Sequence, residues 1–238
     1  RLLRSYTHLG TGNYHARNAK LYTDFGLLTC DAAIGRDVRT VFQQLTSLGQ
    51  PGRLKHLLQS PFTLHATLLK WIGRETDRAK KGKPAHIIAK MNALLEPQII
   101  RALYKASQAG VKIDLLVRGP CALRPGIAGL SEHIRVRSII GRFLEHSRIF
   151  YFLNDGDDRV FLSSADWMDR NFFRRIEVAF PVLEKTLRQR VIDEGLRPYL
   201  EDNTHAWTLH RDGTYRRLTP GRRSPRSAQH WLMNKLVT

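Results

Sequence analysis

Apolar positions recur along this chain with two periods. Over residues 34–48, Val38, Phe42 and Leu45 fall on one face at helical spacing; over 62–78 Leu64, Leu68, Trp71 and Ile72 do the same. A third such stripe, Ile99, Ile100, Leu103 and Tyr104, runs through 96–109, and a fourth helix is predicted over 184–200. Short apolar or alternating runs predict strands at 21–29, 86–91, 112–117, 134–140, 146–153, 159–163 and 176–182. Gln50-Pro51-Gly52 breaks the chain after the first helix, the basic loop KKGKP ends the second, and NDGDD between 146–153 and 159–163 is a hairpin signal. The order strand, helix, strand over 86–117 calls for a parallel pair joined by a crossover helix. The fold class is therefore α/β, a mixed sheet flanked by helices. Residues 205–238 change character, with seven Lys or Arg against one Asp, and predict a mobile, solvated basic tail.

Composition narrows the function classes. An apolar share of 42% over 238 residues suffices for a core, and a formal charge of +18 draws polyanions such as nucleic acid, anionic lipid or phosphate-rich substrates. Cys30 and Cys121 stand far apart and in no CxxC spacing, which predicts neither a zinc site nor a disulfide but two reduced thiols in the cytosol. No apolar run approaches the roughly 18 residues of a membrane span, and no signal peptide opens the sequence. A P-loop kinase is disfavoured because no GxxxxGK[ST] occurs.

An internal repeat carries more information. Gly10-Thr11-Gly12-Asn13, with Tyr14, Arg17, Asn18 and then Asp24, returns 153 residues later as Ser163-Ser164-Ala165-Asp166, with Trp167, Arg170, Asn171 and Glu177. Small residues before Asn or Asp, an aromatic, Arg, Asn and an acid recur in one register, which predicts two copies of one unit. Before the second copy lies a strand in which His146 and Arg148, two apart, share a face. A histidine and a cation facing a turn of small, hydrogen-bonding residues supply a nucleophile or acid plus the charge that phosphoryl chemistry needs. On the repeat His8 aligns with apolar Phe161, so it is expected to pack against the site and not to react. Arg17, Asp24, Arg170 and Glu177 are expected to form ion pairs between the turn and the next strand.

Both copies resemble the phospholipase D superfamily half-site, H-x-K on one strand and G-[ST]-x-N on the next. Gly10-Thr11-Gly12-Asn13 fits the second element, Ser163-Ser164-Ala165-Asp166 fits it loosely, and His146-Ser147-Arg148 fits the first with Arg for Lys. Leu153 stands where phosphodiesterases of that superfamily carry Asp. YTHLGTGNYHARNAKLYTDFGLLTCD, LLVRGPC, FLEHSRIFYF and VFLSSADWMDRNFFRRIEVAFP together look like the C-terminal half of the first bacterial family of polyphosphate kinase, over about residues 1–200.

That resemblance implies two phospholipase D-like half-domains. Residues 1–56 would end the first, truncated at its N-terminus, 57–204 would form the second, and 205–238 would be the tail. It implies reversible transfer of the ATP γ-phosphate to polyphosphate through a phosphohistidine, with Mg²⁺ bound mainly by ATP and by parts outside this chain. The phosphorylated histidine would lie on a strand upstream of residue 1. ATP or ADP and polyphosphate would be the partners, the full enzyme a homo-oligomer, the location cytoplasmic with peripheral contact at the inner membrane face, and nucleic acid no specific partner. Family nucleotide-binding residues fall on Tyr22, Arg118 and His146, with His146 also catalytic, and Asn13, Arg148 and Asp166 support the phosphate pocket; none is a metal ligand. Two other readings stay open, a phospholipase D-type phosphodiesterase and a non-catalytic polyanion-binding protein.

Overall fold

The computed structural model describes residues 4–46 and 52–237. The chain opens with β1 (Thr7–Gly10), β2 (Tyr22–Thr23), β3 (Gly26–Thr29) and α1 (Ala32–Thr46). β1 and β3 form an antiparallel pair of their own, Thr7 opposite Thr29. The predicted strand over 21–29 is thus divided at Asp24-Phe25, where Phe25 turns inward to pack on the core. Positions 47–48 of the first predicted helix, and Gln50-Pro51, lie outside the described residues.

After β4 (Leu58–Gln59) and α2 (Leu64–Ala79) comes the parallel unit that the alternation predicts: β5 (His86–Met91), α3 (Pro97–Gln108) and β6 (Lys112–Val117). Glu96 starts α3 by accepting from Gln98 N–H and Ile99 N–H, with Pro97 in the first turn where its missing N–H costs nothing. β7 (Ile134–Ile139) adds in parallel to β6. β8 (Leu144–Glu145), β9 (Arg148–Phe152) and β10 (Arg159–Ser163) follow, β9 and β10 joined as a hairpin whose Asn154 and Asp155 take positive φ, as NDGDD foretold. Then come α4 (Asp169–Phe173), β11 (Val178–Pro181), α5 (Lys185–Gly195) and α6 (Arg197–Glu201). The single helix expected over 184–200 breaks at Leu196 because Pro198 cannot donate into a continuous ladder.

The last segment departs most from expectation. Residues 205–237 are built into the fold and do not form a separate tail: β12 (Ala206–Leu209) pairs with β7, β13 (Tyr215–Arg217) pairs with β12, and α7 (Ala228–Leu236) docks through buried Ala228 and Gln229. The basic charges that suggested solvation sit on exposed positions, while Ala206, Leu209 and Ala228 are buried.

The described residues thus form a nine-stranded mixed sheet, ordered β13-β12-β7-β6-β5-β9-β10-β11-β4. Its central strands are covered on both sides. On β5, Ile87, Ala89 and Met91 pack with Leu68, Ile72 and Leu103 of α2 and α3, whereas Ile88 belongs to the opposite core with Val191, Tyr199 and Ala228 of α5, α6 and α7. No described helix is long and apolar enough to cross a membrane.

The repeat is a repeat of structure. Thr11 Oγ1 donates to Asp24 and accepts from Phe25 N–H, while its own N–H bonds the Phe25 carbonyl. Ser164, Glu177 and Val178 make the same three bonds 153 residues later. The β1–β3 and β10–β11 pairs share one register as well.

Candidate active site

The site forms where three strand ends meet. β5 runs parallel to β6 but antiparallel to β9, so Asn92 and Arg118, just past the C-termini of β5 and β6, stand side by side at the point where strand direction reverses. Such crevices are where open α/β sheets bind ligands. Arg118 Nε donates to Asn92 Oδ1 at 2.9 Å; among the described residues its two terminal nitrogens have no partner. Arg118 is half-buried, and its fork is free to receive phosphate oxygens.

His146 occupies the switch between two strands. β8 pairs in parallel with β2, Thr23 opposite Glu145, whereas from Arg148 onward β9 pairs with β10 and β5. The predicted strand over 146–153 therefore begins two residues late, at Arg148, and His146-Ser147 form the join between β8 and β9. His146 is 8% exposed. Its Nδ1 lies 3.0 Å from both carboxylate oxygens of Asp24. A carboxylate only accepts, so Nδ1 carries the proton, and Nε2 keeps its lone pair 3.2 Å from Arg148 Nη1. Tyr22 stacks on the imidazole with ring centroids 4.8 Å apart at 45°.

Arg148 is held on every side. Its Nε and Nη2 bond the two oxygens of Asp166 at 3.2 and 3.0 Å, and Nη1 donates to the Thr11 carbonyl at 3.1 Å. Asp166 also accepts from Asn92 N–H at 2.7 Å. Both charges are buried, so their mutual pairing with additional hydrogen bonds offsets desolvation. This arrangement makes Arg148 a neutralised strut between the two repeats and not an open phosphate clamp.

Tyr22, Arg118, His146, Arg148 and Asp166 are therefore brought together, directly or through Asn92. Asn13 is not. It is exposed, and its turn reaches the site through Thr11, whose side chain faces inward. His8 departs from expectation too: it is exposed, with the Tyr14 hydroxyl 3.0 Å from its Nδ1. The expected ion pairs are replaced, because Asp24 goes to His146 and Thr11, and Glu177 to Ser164 and Asn171, while Arg17 and Arg170 are exposed.

Several site-building residues escaped the sequence reading. Asp24 had only its place in the repeat to mark it. Gly12 admits it, since a Cβ there would overlap the Asp24 carboxyl. Asn92, one residue beyond a predicted strand, had no motif at all. Behind His146, Glu145 accepts from Lys90 Nζ at 2.7 Å and Thr23 Oγ1 at 2.8 Å, and Gln229 of α7 donates to its other oxygen at 2.7 Å. Burial pushes the Glu145 carboxyl up, and Lys90, Gln229 and Thr23 bring it below its ordinary value. Burial pulls the Lys90 ammonium down, opposed by Glu145.

Comparison with known proteins decides the family. Residues 57–229 match the family described as polyphosphate kinase C-terminal domain 2, and residues 1–51 match polyphosphate kinase C-terminal domain 1. The chain belongs to the polyphosphate kinase family. A polyphosphate kinase of Paraburkholderia phytofirmans is 61% identical over 236 residues, 99% of this chain and 34% of that protein. One from Pseudomonas aeruginosa is 60% identical over the same span and shares. The crystal structure of polyphosphate kinase from Porphyromonas gingivalis superposes with a TM-score of 0.93 at 38% identity, covering 98% of this chain and 36% of that one. The chain thus spans about a third of the length of these polyphosphate kinases. The family match also runs to residue 229, through the segment that the charge pattern had set aside as a tail.

Proposed function

We propose that this chain is the C-terminal catalytic portion of a polyphosphate kinase, which transfers the ATP γ-phosphate reversibly to polyphosphate through a phosphohistidine lying outside these residues. The observation that carries the reading is the convergence of Tyr22, Arg118 and His146 at the strand-reversal crevice of a chain in this family. In this proposal the Tyr22 ring receives the nucleotide, and the terminal nitrogens of Arg118 fork onto its phosphates. Asp24 holds Nδ1–H and thereby fixes the orientation of the ring. As the negatively charged phosphate arrives, Nε2 takes up a proton from water, leaving the ring protonated at both nitrogens beside Arg148. His146 then donates to the transferring phosphoryl group or to the leaving oxygen. Positioning plus charge compensation supplies the catalysis.

Among the described residues no three His, Cys, Asp or Glu side chains converge to hold a metal ion. In this proposal Mg²⁺ is held mainly by ATP and by parts of the full-length enzyme outside this chain. The two repeats, joined through Thr11–Arg148 and Asp24–His146, support reading the fold as paired phospholipase D-like half-sites. ATP or ADP and polyphosphate are the proposed partners, in a homo-oligomeric full-length enzyme.

Incubation with γ-labelled ATP tests the reading. A full-length polyphosphate kinase carrying these residues becomes labelled, whereas this chain alone stays unlabelled. Label on a histidine of the isolated chain overturns the placement of the nucleophile.

A further inference from the structure

The β2–β8 pair that presents Asp24 and His146 to each other is two residues long, too short to fix its own geometry. What fixes it lies one residue behind. Glu145 and Thr23 are the partners in that pair, and each directly precedes a site residue. Their side chains bond each other at 2.8 Å, and Thr23 Oγ1 also lies 3.4 Å from the His146 N–H.

The Glu145 carboxylate, 4% exposed, is gripped from two further elements. Lys90 reaches it from β5 and carries its ammonium 3.4 Å from the centre of the Tyr199 ring of α6. Gln229 reaches it from α7. That glutamine is itself fixed, because its Oε1 accepts from Phe143 N–H at 3.0 Å and its Nε2 donates to the Phe143 carbonyl at 2.8 Å. Gln229 thus clamps both backbone groups of Phe143 and the side chain of Glu145, on either side of β8. Every polar group in the cluster is satisfied, which favours one arrangement of the backbone over others.

We infer that Glu145, clamped by Gln229 and Lys90, is the positioning residue that holds His146 Nδ1 against Asp24, and that α7 is thereby part of the active site. The inference rests on the proposed kinase reading only for the rate measurement. Among the described residues Arg118 lies outside the cluster, and Tyr22, although it begins β2, makes no hydrogen bond to Glu145, Gln229 or Lys90.

The test is Gln229→Met, which keeps the volume of a buried side chain and removes all three of its hydrogen bonds without leaving a buried charge unpaired. Thr23→Val, which cuts the other link to Glu145, is the second variant. Two readouts are taken on samples whose circular dichroism matches the parent. Long-range ¹H–¹⁵N spectra of the histidine-labelled chain are expected to show His146 as the Nδ1–H form in the parent and an exchange-averaged ring in either variant. In a full-length kinase carrying this segment, either variant is expected to lower kcat about tenfold with KM for ATP within twofold. An unchanged tautomer together with an unchanged kcat overturns the inference, as does a loss confined to KM or to thermal stability. A parent without kinase activity sinks the functional reading instead, and the spectra still decide the positioning role.

Discussion

At the scale of single residues, the repeat located the site more reliably than any lone reactive side chain did. His8 and Asn13 lie in the most motif-like stretch, yet both are exposed; the turn contributes instead its Thr11 carbonyl and hydroxyl and the space at Gly12. Tyr22, Arg118, His146, Arg148 and Asp166 were legible because a motif or a strand end marked them. Asn92 and Gln229 were not, because their work is to join segments remote in sequence, and no local pattern encodes that. Gly12→Ala makes this concrete. The added methyl must displace Asp24, so His146 loses its Nδ1 partner; polyphosphate synthesis should fall at least tenfold, with the unfolding midpoint lowered only slightly. A rate within twofold of the parent, from a variant folded like it, would show that Asp24 does not orient the ring.

At the scale of elements, periodicity predicted the helices and strands wherever one residue type dominates a face, and failed where partners change. The strand over 146–153 loses His146 and Ser147 to the join between β8 and β9, which pair with different neighbours, and the helix over 184–200 breaks at Leu196, ahead of Pro198. The start of α3 offers a prediction at this scale. Burial pushes the Glu96 carboxyl up, but the Ile99 and Gln98 N–H groups and His65 outweigh it and hold the group below its ordinary 4.5. A depressed carboxylate stabilises the fold above about that pH and ceases to do so as pH falls through its folded value. Glu96→Ala should therefore cost about 1 kcal/mol at pH 7, in the range of lost helix caps. The gap between variant and parent should close below pH 4 in urea unfolding followed by circular dichroism. A gap that stays constant down to pH 3 would mean that the charge of Glu96 contributes nothing.

At the scale of the whole molecule, the family and the α/β class were legible from motifs and alternation, but the end of the fold was not. Charge density in 205–238 outweighed the sparse apolar positions that build β12 and α7 into the sheet and the second core. Net charge bears on partners and solubility, not on whether a segment packs. Ending the chain at residue 204 should therefore expose the β7 edge, release Glu145 and abolish cooperative unfolding; a truncated chain that melts like the parent would restore the picture of a solvated tail. The central claim is that the chemistry left on this chain is focused on His146, stacked on Tyr22 and aimed by Asp24. Polyphosphate synthesis by His146→Ala, in a full-length polyphosphate kinase carrying these residues, tests it most directly. The initial rate should drop by orders of magnitude while the unfolding midpoint stays at the parent value, and a near-parent rate would contradict the account.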